Sequence, residues 1–237
     1  MEDDSLSLEG WLYSGKRCGT QLLLLAALSV AASAATEPPA PAVRAAEELR
    51  EALRTSPDSA HGAQLFHICA ECHGAHGEGN ASGWPPQIAG QHPRVIAKEL
   101  IDFRTGVRWY DPMQRIAGRH VLQRTQDLAD VAAYVAGLTP SSATTPGPGR
   151  HLEQAGEYYT RRCEWCHGPQ GEGNDARFVP RVAGQQYEYL LRQLQDSREG
   201  RRPNMQAQHP RLITSRSMDE LAGLADYMAR LGSAARQ

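Results

Sequence analysis

Lysine is nearly missing from this chain: Lys16 and Lys98 are the only two among 25 basic residues, and 27 acidic residues bring the formal charge to −2. Without a basic excess to neutralise phosphates, no nucleic-acid partner is expected. Aromatic side chains are scarce, with 3 Phe and 4 Trp in 237 residues, while 22 Gly and 15 Pro mark a loop-rich chain. Such a chain has a thin core and generally needs something besides side chains at its centre. Five cysteines are too few for a disulfide scaffold. Alternating apolar–polar strand patterns are absent, so the periodicities that remain are helical.

Only one apolar run stands out. Leu22 to Ala35 (LLLLAALSVAASAA) follows Lys16 and Arg17 and contains the small-x-small triplet Ala32-Ser33-Ala34. Fourteen residues are short for a bilayer, and the flanks are those of a secretory signal. Glu2, Asp3, Asp4 and Glu9 fit a positive n-region poorly, so either the true start lies downstream of Met1 or the n-region is unusual. A retained anchor, with peripheral or anchored membrane association, is the alternative. Cys18 is expected to leave with the leader. The expectation is export to a periplasm, with residues 1–34 as signal peptide and 35–59 as an N-terminal extension. Without residues 1–34 the chain carries 23 basic and 23 acidic residues.

What remains is a repeat. Cys69-Ala-Glu-Cys72-His73-Gly74 recurs as Cys163-Glu-Trp-Cys166-His167-Gly168, 94 positions later. The same offset carries Gly77, Glu78, Gly79 and Asn80 onto Gly171, Glu172, Gly173 and Asn174, Pro86 onto Pro180, and Ala89-Gly90-Gln91 onto Ala183-Gly184-Gln185. Self-similarity of this extent implies two homologous domains, 60–138 and 151–237, joined by a Thr/Ser/Pro/Gly-rich linker at 139–150. Each half is helical by period: Leu128, Val131, Ala132 and Val135 in the first; Tyr187, Leu190, Leu191 and Leu194, then Leu221, Leu224, Ala225 and Met228, in the second. Ser217 with Glu220 makes a capping box, and Thr125 is the expected cap of the matching helix.

Two cysteines at i and i+3 project to one side of a helical turn with a histidine beside them. This C-x-x-C-H pattern suits two thioether bonds to a haem, with His73 or His167 reaching the iron from one face. Zinc would want further ligands that neither half supplies as a second C-x-x-C. A thioredoxin-like pair would need a βαβ setting. Two covalent haem c groups, at Cys69/Cys72 and Cys163/Cys166, are therefore expected, and they supply the missing apolar core.

The second iron ligand lies downstream. Met113 and Met205 follow Asp111-Pro112 and Pro203-Asn204 in what read as polar loops, where core packing explains a methionine poorly; Met218 and Met228 fall in a capped helix and read as core. His73/Met113 and His167/Met205 are the expected pairs, an arrangement that raises reduction potential and favours electron transfer. The rivals His120, His92 and His209 do not recur at matching positions and are expected to be exposed polar residues; His76, His61 and His67 are unmatched as well. Pro86 and Pro180, each 13 residues past the histidine, lie in loops able to present a carbonyl to its other ring nitrogen. Arg94, Arg104, Arg108, Arg181, Arg198 and Arg201 are unranked candidates for propionate pairing. Trp109, Tyr110 and Trp165 are read either as haem-edge contacts or as ordinary core.

These residues resemble the dihaem class I cytochromes c of the cytochrome c4 family. CAECHGAHGEGN with PQIAGQ and CEWCHGPQGEGN with PRVAGQ carry the resemblance, with the following helices, the Pro-Met loops and the terminal LADVAAYV and LAGLADYM segments. It covers about residues 60–237. It implies an all-α pair of cytochrome c folds, the four thioether bonds, the two His/Met pairs and a periplasmic electron carrier, bound to a membrane or delivering electrons to a terminal oxidase through redox protein partners. The chain departs from the pattern at His92-Pro93, in an extra residue after Pro203, and in the segment Val43 to Ser59. The competing class is an enzyme or enzyme subunit, either a dihaem peroxidase or the cytochrome subunit of a periplasmic dehydrogenase. A peroxidase must leave one iron open, whereas each half offers a methionine.

Overall fold

The computed structural model describes residues 40–142 and 145–232, and the expected leader lies outside them. Contacts divide the chain into Met1–Pro38 and Pro39–Gln237, and the second unit holds every described residue. Among the described residues there is no strand, only an isolated bridge between Asn174 and Val179, so the fold is all-α as expected. No described helix is long and apolar enough to cross a membrane.

The first half consists of α1 (Pro41–Ala52), α2 (Ser59–Leu65), α3 (His67–His73), α4 (Pro93–Thr105), α5 (Asp111–Ala117) and α6 (Thr125–Gly137). The second repeats this plan without a counterpart of α1: α7 (Leu152–Arg162), α8 (Glu164–His167), α9 (Tyr187–Arg198), α10 (Gln208–Ile213) and α11 (Met218–Arg230). In each half the first repeated helix crosses the last, α2 on α6 and α7 on α11, and the long middle helix packs beside them. The crossing is tight in the first half. A Cβ on Gly62 would lie 2.1 Å from the backbone oxygen of Asp130, so only glycine lets α2 lie this close to α6.

The helical periods find their faces. Leu128, Val131, Ala132 and Val135 of α6 are buried, as are Leu221, Leu224, Ala225 and Met228 of α11. Each of the larger side chains contributes about 2 kcal/mol on removal from water. Ser217 accepts from the Glu220 amide at 3.2 Å while the Glu220 carboxylate accepts from the Ser217 amide at 2.8 Å, so the expected capping box closes α11. Its counterpart is built differently. Thr125 is the first residue inside α6, and the Asp127 carboxylate accepts the Arg124 amide at 2.9 Å. Thr125 is instead buried, its hydroxyl 3.4 Å from Glu48 of α1.

The linker has no helix or strand in its described part, yet it is held down. The Gly147 and Gly149 amides donate to the buried Asp226 carboxylate at 2.8 and 2.6 Å, and the Ser141 amide donates to Gln87 Oε1 at 2.7 Å.

Candidate functional site

Each C-x-x-C-H motif lies on a short helix held by its neighbours. Cys69 and His73 lie on α3; Cys163 caps α8, which ends at His167. None of the four motif cysteines is in a disulfide. Burial pushes the Cys69 thiol up to about 11 and the Cys163 thiol up to about 12, so neither is a thiolate at neutral pH.

The histidines are fixed in the same way in both halves. His73 and His167 are each 7% exposed. His73 Nδ1–H donates to the Pro86 carbonyl at 2.8 Å, and His167 Nδ1–H to the Pro180 carbonyl at 3.0 Å. Burial lowers both imidazole pKa values, outweighing the carbonyl contacts that raise them, so each ring is neutral at neutral pH. With Nδ1 donating, Nε2 keeps its lone pair, which is the form an iron ligand requires. The two loops reach this position because Gly79 and Gly173 have φ of +67° and +77°; a Cβ on either would meet the adjoining Pro86 or Pro180 backbone at 2.4 or 2.6 Å. Their amides donate to the His73 and His167 carbonyls at 2.7 Å.

Around the motifs lie half-buried apolar side chains. Cys69 and Met113 border one cluster with Ile96, Val107 and Val121; Cys163 borders the other with Leu191, Leu212 and Leu231. An apolar lining beside free thiols and a neutral imidazole with an open Nε2 fits a covalently attached haem in both halves.

Downstream, two expectations change and one holds. Met113 is not in a loop but in the first turn of α5, where Asp111-Pro112 opens a helix and its side chain packs on the core. Met205 lies in a loop as expected, half-buried ahead of α10. His209 is not an exposed polar residue: its ring lies 5.9 Å from the His167 ring, centroid to centroid, at 70°. Its Nδ1 is buried without a hydrogen-bond partner among the described residues, and burial beside His167 and Arg202 lowers its pKa to about 4.

The other candidates find plain roles. His120 and His76 are exposed; His61 binds Asp130 at 2.8 Å, His67 the Gln64 carbonyl at 2.6 Å and His92 the Glu172 carbonyl at 2.8 Å. Arg94, Arg104, Arg108, Arg198 and Arg201 are all committed to protein acceptors. Trp109 and Trp165 are 73% and 78% exposed, which excludes a core role; Arg177 stacks over Trp165 at 4.2 Å, and Tyr110 packs on Trp84 at 4.7 Å.

The sequence reading missed how the two sites are joined. Gln91 Nε2 donates to the Arg181 carbonyl at 2.9 Å, and its Oε1 accepts the Arg181 amide at 2.8 Å. In the reverse direction Gln185 Nε2 donates to the Gln87 carbonyl at 2.8 Å, and Gln186 Oε1 accepts the Gln87 amide at 2.9 Å. Gln87 and Arg181 directly follow Pro86 and Pro180, so each half grips the loop that fixes the other half's histidine. The recurring AGQ triplets were the available signal, since a repeated glutamine in a buried loop needs partners.

Comparison with known proteins gives a consistent picture. The cytochrome c family model matches residues 59–139. The chain is 36% identical over 164 residues to a cytochrome c4 of Azotobacter vinelandii, covering 62% of this chain and 75% of that protein. It is 34% identical over 176 residues to a thiosulfate dehydrogenase electron acceptor of Stutzerimonas stutzeri, covering 69% and 79%. The crystal structure of reduced cytochrome c4 from Pseudomonas stutzeri superposes with a TM-score of 0.63 at 29% identity, covering 74% of this chain and all of that one.

Proposed function

The chain belongs to the cytochrome c4 family, and on that footing we propose that it is a periplasmic dihaem carrier taking electrons from a dehydrogenase and passing them towards a terminal oxidase. It is an electron-transfer protein, not an enzyme. Two haem c groups are its cofactors, and we assign their attachment to Cys69/Cys72 and Cys163/Cys166. When bound, each supplies a one-electron ferric/ferrous couple.

The protein's own residues hold that couple steady. His73 and His167 present Nε2 because Nδ1 is engaged by Pro86 and Pro180. We assign Met113, fixed by α5 against the core, as the second ligand of the first half. The observation that carries the reading is the reciprocal glutamine exchange, which locks the two histidine-bearing loops into one unit. A carrier with two rigidly joined sites can accept at one and donate at the other.

The N-terminal segment supports export, and covalent haem attachment at such motifs takes place outside the cytoplasm. A dehydrogenase donor is supported by the likeness to a thiosulfate dehydrogenase electron acceptor. The test mixes haem-loaded protein with thiosulfate and a thiosulfate-oxidising dehydrogenase, then adds oxidase-containing membranes. Reduction only when the dehydrogenase is present, followed by reoxidation with oxygen uptake, is expected, as is recovery of the protein in a periplasmic fraction. Rapid turnover of hydrogen peroxide by the reduced protein alone would overturn the carrier reading in favour of a peroxidase.

A further inference from the structure

The two halves diverge where the first places Met113. In each, the long helix is followed by a short one, α5 or α10, that carries a buried apolar residue: Ala117 at 0% exposure and Ile213 at 3%. Four residues before these stand Met113 and His209. Residues four apart share a helix face, so Met113 and His209 hold the same position in their short helices. The repeat offset hides this, because it counts forward from the cysteines across a segment whose length differs between the halves.

Met205 has no such place. It precedes α10, with its amide on the Arg202 carbonyl at 3.4 Å. Its neighbours on both sides are bound to other elements. Asn204 Nδ2 donates to Asp102 at 2.8 Å and to both Glu99 oxygens at 3.1 and 3.2 Å, all on α4, while Gln206 Nε2 donates to the Arg177 carbonyl at 3.3 Å.

His209 stands across from His167, with ring centroids 5.9 Å apart. Two imidazoles bound end-on to one metal ion at about 2 Å each have centroids about 6 Å apart. The His209 side chain also has a buried nitrogen, Nδ1, with no partner among the described residues, which native interiors seldom leave unexplained.

We propose that the haem iron of the second half is held by two imidazoles, His167 and His209, with Met205 outside the coordination sphere. The first half keeps His73 and Met113. The assignment rests on the reading that both motifs carry covalent haem. It makes the two couples unequal, because a thioether ligand raises the reduction potential relative to a second imidazole. The second half is then the lower-potential site, and electrons run downhill from it to the first.

The test uses the full chain, loaded with haem in a periplasm, and three variants: Met205→Leu, His209→Ala and His209→Met. Haem-to-protein ratio, the weak far-red ferric band of Met–iron ligation, spin state and a redox titration are measured. The wild type is expected to hold two low-spin haems with the far-red intensity of one. Met205→Leu leaves band and potentials unchanged, and His209→Ala turns one haem high-spin while keeping the band. His209→Met doubles the band and moves the lower potential up. A wild-type band of twofold intensity that halves in Met205→Leu overturns the ligand assignment alone, and that variant suffices even if His209→Ala fails to mature. Fewer than two haems per wild-type chain overturns the dihaem reading beneath it as well.

Discussion

Arg104 in the first half and Arg198 in the second are the same residue of the repeat, 94 positions apart, and they live in different surroundings. Arg104 donates to the Ala117 carbonyl at 2.7 Å and the Leu122 carbonyl at 2.5 Å, pinning the segment that follows Met113, and its charge meets Glu48 of α1 at 2.5 Å. Both side chains of that pair are under 10% exposed. Arg198 donates to the Arg216 carbonyl at 3.3 Å and pairs with the half-exposed Glu199 at 3.6 Å. The second half has no described counterpart of α1. The second half instead borrows its support: Arg202 and Asn204, just ahead of α10, are bound to Glu99 and Asp102 of α4. The first half's distal segment is thus held from within by α1, and the second half's by its neighbour. A repeat preserves the frame of the cofactor site while leaving each copy free to find its own brace.

The largest effect that breaks this contrast is expected from Glu48→Ala. It leaves Arg104 buried without its ion-pair partner, and loss of one partner of a buried pair costs about 4 kcal/mol. Arg119 and Thr125 lose their Glu48 contacts too. Urea unfolding of the haem-loaded chain, followed at the far-red band assigned to Met113, should shift to markedly lower urea while the second haem's signal moves little. An equal shift of both signals would mean that α1 braces the whole molecule and not one half.

Glu99→Gln should act across the interface. Glu99 binds Arg108 at 2.5 Å and Arg202 at 3.0 Å. Burial alone would raise its pKa, but Arg202 and Arg108 outweigh burial and hold the carboxyl well below the usual range. The neutral variant is expected to lose about 3 kcal/mol at pH 7 and to perturb the second haem's spectrum more than the first. The pH dependence has a definite sign. In the unfolded chain Glu99 takes up a proton near pH 4.3, while the folded carboxyl stays ionised, so its contribution is intact above about pH 5 and declines as the pH falls. Asp102 beside it, raised by burial against the pull of Lys98 and Asn204, works in the opposite direction. Acid titration of stability should therefore be less steep below about pH 4 in Glu99→Gln than in the wild type. Parallel slopes would remove Glu99 from the account.

Most of the frame could be read from residues alone. The i, i+3, i+4, i+7 sets gave α6, α9 and α11, because a helix packed on one side must repeat its apolar residues at that period. Pro86 and Pro180 were legible because a ligating histidine needs an acceptor for its second nitrogen. What failed were residues judged by local polarity. Asp111-Pro112-Met113 looked like a loop, yet proline in a helix's first turn loses no hydrogen bond, so the same letters open α5. His209 looked exposed because its position is set by α10 packing under α9, which no short-range pattern announces. Trp165 reads equally as a haem-edge contact or as core, but it lies between the two motif cysteines on a face turned to solvent, with Arg177 stacked over it.

The smallest effect sharpens the comparison at the start of the last helix. Ser217 closes α11 with its side chain, and Ser217→Ala should cost about 1 kcal/mol as the Glu220 amide loses its acceptor. Thr125 occupies the matching stretch of the first half, but the end of α6 is closed by the Asp127 carboxylate. Thr125→Val keeps the volume and removes only a 3.4 Å contact with Glu48, so its cost should stay below about 0.5 kcal/mol. Thermal unfolding of the two variants side by side checks the pair. If Thr125→Val costs as much as Ser217→Ala, the hydroxyl does more for Glu48 than its distance implies, and the brace on α1 extends into α6.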